Sequence, residues 1–122
     1  MAKKHSSIDF DTVWEIARSL PGVEQNTTPR GSSLKASGRL FACTAIHSSA
    51  EPCSLMVRVS FEERERLLTT EPRTYYLTEH YAGYYAILVR LSRISRDALR
   101  ELLASAAQQI GKKQRRRPTK RK

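Results

Sequence analysis

The sequence is short of most things that mark a catalytic, cross-linked or membrane-spanning protein. Its 122 residues hold two cysteines, three histidines, five glycines and one tryptophan. Cys43 and Cys53 are far from a Cys-x-x-Cys spacing. A hairpin folded about residue 50 would set Cys53 against His47 rather than Cys43, so a disulfide is not expected. Two small half-buried thiols in a reducing compartment are. Gly22, Gly31, Gly38, Gly83 and Gly111 are scattered as turn residues and build no phosphate-binding loop. His5, His47 and His80 lie far apart with no His-x-x-x-His or His-plus-acid cluster, which argues against a metal site. No apolar run approaches the roughly 20 residues needed to cross a bilayer. The opening Met-Ala-Lys-Lys-His-Ser-Ser lacks the apolar stretch of a secretory signal, so a cytoplasmic chain with no membrane partner is expected.

Acid is missing from one place in particular. Residues 112–122 carry eight of the 22 Lys and Arg residues and no Asp or Glu. With Lys3 and Lys4 also set aside, 12 basic residues in 5–111 balance all 12 acidic ones, although the whole chain has a formal charge of +10. The body is formally neutral, and the basic excess belongs to the ends. Such a tail attracts phosphates in a salt-sensitive way that reads no sequence. The length suits one domain with a modest core. The organisation expected is a disordered N-terminus over 1–7, a domain over 8–110 and a disordered basic tail over 111–122.

Along the body, Asp9 is a helix N-cap, with Ile8 and Val13 placed as a hydrophobic staple. Phe10, Val13, Ile16, Ala17 and Leu20 follow helical spacing, with Trp14 as a core or rim anchor, and Pro21-Gly22 stops the helix. A polar edge strand over 23–28 and strands over 33–36 and 39–47 follow, the last two joined by Ser37-Gly38 as a tight turn. After a polar loop over 48–52, residues 54–59 alternate, with Leu55, Val57 and Val59 on one face and Met56 and Arg58 on the other. Ser60 and Glu63 form a capping box for a short helix that Glu71-Pro72 ends. Residues 75–80 read as extended or irregular, and 84–91 as a central strand. A last helix opens at Ser95 and buries Leu99, Leu102, Leu103, Ala106 and Ile110, with Gly111 as its C-cap. The fold class expected is α+β, a two-layer sandwich. An antiparallel sheet of 4-6 strands is covered on one face by N- and C-terminal helices, with a short helix between strands. The other face would carry Lys35, Met56, Arg58 and Arg90, open to solvent or a partner.

No constellation of catalytic groups is present. Cys43 and His47 could share a strand face, but that spacing is common and no third group supports it. Glu62, Glu63 and Glu65 suit helix capping and the helix dipole better than acid–base work or cation binding. Tyr75, Tyr76, Tyr81, Tyr84 and Tyr85 fall within eleven residues that also hold His80, just after Arg73. Such rings either stack bases or pack on the sheet edge. Pairs such as Glu62/Arg66 and Arg96/Glu101 make a solvated mixed-charge helix face.

Phe10–Ala17 with Ser19-Leu20-Pro21-Gly22-Val23-Glu24, then Gly38-Arg39-Leu40-Phe41-Ala42, resembles the opening helix and a following strand of the MmcQ/YjbR family of small bacterial proteins. Leu55-Met56-Val57-Arg58 with Glu62-Glu63 and Leu67-Leu68, and 84–91 with 99–106, resemble its later elements, so the likeness spans about 8–110. The resemblance implies a fold similar to CyaY and frataxin and DNA binding through the sheet and its hairpin loops. It implies no catalytic site and no cofactor. Tyr84-Tyr85 stands where many members have Trp, and the tail lies outside the shared region. Iron handling of the frataxin kind would need more acid on the first helix than Asp9, Asp11 and Glu15.

Three functions follow as alternatives. The first is a non-enzymatic nucleic-acid-binding monomer. Duplex DNA would be held without sequence preference by Lys35, Arg39, Arg58, Arg73, Tyr75 and Tyr76 of the body and by Lys112, Lys113, Arg115, Arg116, Arg117, Lys120, Arg121 and Lys122 of the tail. No helix has the surface of a recognition helix, so phosphate contacts would dominate. The second is a protein-interaction module that the tail merely localises. The third is a small enzyme or ligand carrier with a pocket between sheet and helices.

Overall fold

A computed structural model describes the protein over residues 8–29 and 31–116, with side chains described through 110. The sheet has six strands, all paired antiparallel: β1 (Val23–Thr28), β2 (Gly31–Ala36), β3 (Arg39–Thr44), β4 (Ser54–Arg58), β5 (Tyr75–Tyr76) and β6 (Ala86–Arg90), in the order β1-β2-β3-β4-β6-β5. Among the described residues four helices complete it: α1 (Phe10–Ala17), α2 (Phe61–Thr70), α3 (Glu79–Ala82) and α4 (Arg96–Arg116). The α+β two-layer sandwich read from the sequence is the observed architecture.

Local sequence explains the helix starts. The Asp9 carboxylate accepts from the Thr12 amide, the Ser60 hydroxyl from Glu63 and the Ser95 hydroxyl from Ala98, each satisfying an otherwise orphaned N–H. Ser37 and Gly38 both take positive φ, 54° and 77°, as a tight two-residue hairpin requires. Ser37 accepts the strain of that region in place of the more usual Asn or Gly.

Two helices differ from expectation. α1 stops at Ala17, so it is two turns rather than a long element; Arg18 caps it through backbone bonds and the Ser19 hydroxyl donates to the Ile16 carbonyl. α4 runs through Gly111 to Arg116, where the sequence reading ended it. One internal glycine costs about 1 kcal/mol, and the Lys, Gln and Arg residues that follow are strong helix formers. Of the expected disordered segments, 1–7 and 117–122 lie outside the described residues.

α4 lies across β2, β3 and β4, and α1 packs on α4 and β2. Leu99 and Leu103 of α4, Val13 of α1 and Leu34, Phe41, Leu55, Val57, Ile87 and Val89 of the sheet are fully buried in one core. Area removed from water at roughly 25 cal/mol per Å² makes this layer the main source of stability. α2 packs on the β5 and β6 side.

Candidate nucleic-acid interface

The face of the sheet turned away from α1 and α4 is read from the register. Asn26, Ser33, Cys43, Met56, Leu88 and Tyr76 stand opposite one another in turn, forming one row across all six strands. Flanking that row, Glu24 faces Lys35, Arg58 faces Ala86 and Ser54 faces Arg90. Lys35, Met56, Arg58 and Arg90 therefore share this face. Lys35 and Arg58 are two strands apart, roughly 10 Å by strand spacing. Among the described residues neither enters an ion pair. Lys35 nevertheless has the Glu24 carboxylate across the ladder, so among the described cations of this face Arg58 has no acid opposite it.

Arg39 does not join them. It pairs with Ala36, whose side chain belongs to the core, while Lys35 pairs with Leu40. The two-residue turn sets this parity, and the register shift beyond it, between Leu34 and Lys35, puts Cys43 on the opposite face from Arg39 although four residues separate them on one strand. Arg39 is an exposed cation at the hairpin end on the helix-covered side. Arg73 is exposed just before β5, and its carbonyl accepts from Arg90 Nη1 at 3.0 Å.

Of the two readings of the tyrosine cluster, packing on the sheet describes Tyr75 and Tyr76. Tyr75 is 5% exposed and opposite Val89 on the core face. Tyr76 lies on the open face, but its hydroxyl accepts from the Glu51 amide at 2.7 Å and bonds the Ser54 hydroxyl. The Arg90 guanidinium sits over its ring, 4.4 Å from the centroid, and is held by the Glu51 carboxylate. These contacts bind the loop between β3 and β4 to the sheet. They leave Tyr76 no ring face for a base on the Arg90 side.

Other aromatics take the exposed positions: Tyr84, Tyr85 and Phe61. The Phe61 and Tyr85 rings stack at 4.4 Å, and the Arg64 guanidinium covers Phe61 at 4.5 Å. Arg64 Nη1 donates to the carbonyls of Ala82, Tyr84 and Ala86, tying α2 to the turn that carries both tyrosines. On the open side, Tyr84 tilts toward His80, which stacks on His47 at 3.5 Å. Tyr81 is buried, and its hydroxyl accepts from the His47 amide. In the sequence, Tyr84 and Tyr85 stand out only as part of the tyrosine cluster. Their place between Gly83 and the first apolar strand residues was the available signal for exposure; nothing local marked Arg64.

Several side-chain pairings are corrected. Arg66 pairs with Glu63 at 2.6 Å rather than with Glu62, and Arg96 reaches Glu15 of α1 rather than Glu101. Cys43 is on the open face whereas His47 lies in the following loop against His80, so the two form no pair. Burial pushes the Cys43 thiol pKa up, which disfavours the nucleophilic thiolate. Both cysteines are free, and Cys53 is exposed rather than half-buried. No three His, Cys, Asp or Glu side chains among the described residues are grouped to hold a metal ion. No described helix is long and apolar enough to cross a membrane.

α4 carries Lys112, Lys113, Arg115 and Arg116 on its last turns, while Arg117, Lys120, Arg121 and Lys122 lie outside the described residues. The body thus brings only Lys35 and Arg58 together, separates Arg39 from them, and withdraws Tyr75 and Tyr76.

A family model described as YjbR matches residues 18–108. The crystal structure of Deinococcus radiodurans protein DR2400, which has the family-model domain DUF419, is similar with a TM-score of 0.71 at 22% identity, covering 89% of this chain and 83% of that one. At that identity the likeness concerns the fold alone. A search of curated proteins returned no match.

Proposed function

This chain belongs to the YjbR family, and from that premise we propose that it is a non-enzymatic, cytoplasmic nucleic-acid-binding monomer. Its ligand is duplex DNA, held by phosphate contacts that read no sequence. The observation that carries this reading is the charge distribution: eight cations and no acid in 112–122, on a body whose charges cancel. Phosphate neutralisation releases condensed counterions, so affinity falls steeply with salt, by a slope of about 0.9 per contact. The body contributes less, because Glu24 faces Lys35 and Glu51 neutralises Arg90.

The test is duplex binding across a salt series by the full-length protein and by a variant with the eight tail cations replaced by Gln. A large loss of both affinity and salt slope supports the reading; unchanged values overturn it.

A second reading, a protein-interaction module, draws on one observation. Phe61, Tyr84 and Tyr85 are exposed aromatics, and Glu62, Glu65 and Glu79 near them in sequence would repel phosphate. A stoichiometric protein partner that survives nuclease treatment and is lost in Tyr84→Ala would favour it.

A further inference from the structure

We propose that the last turns of α4 form a basic helix that docks into the major groove of duplex DNA. The inference rests on the nucleic-acid reading above and deepens it. The duplex is selected by the shape of its groove, still without reading sequence.

The length of α4 is the observation that carries this. The helix buries Leu99, Leu102, Leu103, Ala106 and Ile110 in the core, and no aliphatic or aromatic residue follows Ile110 in the chain. Its backbone nevertheless stays helical from Gly111 to Arg116. These turns extend a helix already folded on the sheet, so they bear no cost of nucleation. The sequence also supplies a stop. Proline disfavours helical geometry at the residue before it, and Pro118 comes two positions after Arg116, where α4 ends. A helix ending at Gly111 would carry none of the cations that follow.

Reach and charge both suit a groove. Residues 111–116, at 1.5 Å each, carry the backbone roughly 9 Å past Ile110. A major groove is about 8.5 Å deep and, at about 12 Å wide, admits one α-helix. The earlier turns of α4 lie on β2, β3, β4 and α1, which gives the extension a fixed mount. By the helical period, the backbone positions of Lys112, Lys113, Arg115 and Arg116 fall within about 160° of arc. Gln114 falls on the side of Ile110, so the basic side is the one away from the core stripe. Glu101 is the last acid in the chain, about three turns before Lys112.

The helix dipole favours cations at this end, but Lys112 repels Arg115 and Arg116 at i,i+3 and i,i+4 spacing. Phosphates on the two walls of a groove offset that repulsion, so duplex binding and helix formation strengthen each other. A single strand offers no pair of walls.

Fluorescence anisotropy with a short mixed-sequence duplex, and with one of its strands, compares the full chain with Gln114→Pro and Gly111→Ala at matched salt. Neither substitution changes a charge. Proline at 114 removes an N–H that would bond the Ile110 carbonyl and clashes with that carbonyl. The change lies beyond the core turns, so the free variant should melt with the parent. Gln114→Pro should lower the far-UV helical signal and weaken duplex binding about tenfold, with less than a twofold effect on the single strand. Gly111→Ala, a better helix former, should tighten duplex binding several-fold. Equal duplex affinity in the parent and Gln114→Pro would overturn the inference and leave the nucleic-acid reading standing, with the tail acting as an unordered polycation. An unchanged helical signal in Gln114→Pro would overturn it as well. Failure of the parent itself to bind duplex would overturn both.

Discussion

Arg90 grips Glu51 with two parallel hydrogen bonds, Nε to one carboxylate oxygen and Nη2 to the other, each at 2.9 Å. The two residues are 39 positions apart, and the pair closes the loop between β3 and β4 onto the sheet edge. Arg90 Nη1 also donates to the carbonyls of Pro72 and Arg73, so one guanidinium joins three segments. The bidentate bond from Arg90 lowers the Glu51 pKa from its ordinary value of 4.5. A carboxylate whose native pKa is lowered adds stability that is complete above its unfolded value and is lost as pH falls through the native one. Glu51→Gln should therefore cost stability at neutral pH and leave the variant and the parent alike in strong acid. The carboxylate is half-exposed, so screening limits the loss to under about 1 kcal/mol. Urea denaturation at pH 7 and below pH 3 measures the difference. Amide exchange in 45–53 should quicken at pH 7.

Tyr75 and Tyr76 are neighbours in sequence with opposite surroundings, and the same substitution separates them. Tyr76→Phe removes an acceptor for the Glu51 amide and the Ser54 partner. It should cost about 1–2 kcal/mol. Tyr75→Phe removes a hydroxyl that bonds no described residue, so its folding stability should stay within about 0.5 kcal/mol of the parent. Equal losses from the two variants in urea titrations would contradict this account of both rings.

Arg64 is the other long-range tie. Its Nη1 serves three carbonyls, at 2.8 to 3.3 Å, while its Nε is buried without a partner. Truncating it frees carbonyls of the turn before β6 and uncovers the Phe61 ring. Arg64→Ala should lower stability by about 2 kcal/mol with an unchanged urea slope. Arg64→Lys keeps a charge but cannot offer the same planar fork, so it should recover only part of the loss.

Capping residues were legible because a cap is local: Asp9, Ser60 and Ser95 each act within three residues. The alternation of 54–59 likewise gave the faces of β4 correctly. Parity failed where a long-range event intervened. The register shift between Leu34 and Lys35 turns Cys43 to the face opposite Arg39, and no residue type signals it, whereas the two-residue turn alone already sets Arg39 against Ala36 and away from Lys35. Tyr75 is buried because a two-residue strand pairs with the far side of β6, an arrangement set by β6 rather than by its own sequence. Arg64 finds its partners 18 to 22 residues away. The extent of α4 was misjudged for a different reason: glycine permits a helix end without enforcing one.

The separation of the body cations by face yields the sharpest test of the sheet's share in binding. In a protein whose tail cations are replaced by Gln, any remaining duplex affinity comes from the body. Arg58 lies on the open face with no acid opposite, Lys35 shares that face but meets Glu24, and Arg39 projects from the other side. If the open face holds phosphates, Arg58→Gln should weaken binding most and reduce the salt slope by about one contact. Lys35→Gln should do less, since the Glu24 carboxylate opposite it already offsets part of its attraction for phosphate. Arg39→Gln should change affinity less than twofold. All three remove one positive charge, so a mere effect of net charge would make them equal in titrations at matched salt. Only a surface with a defined side ranks them.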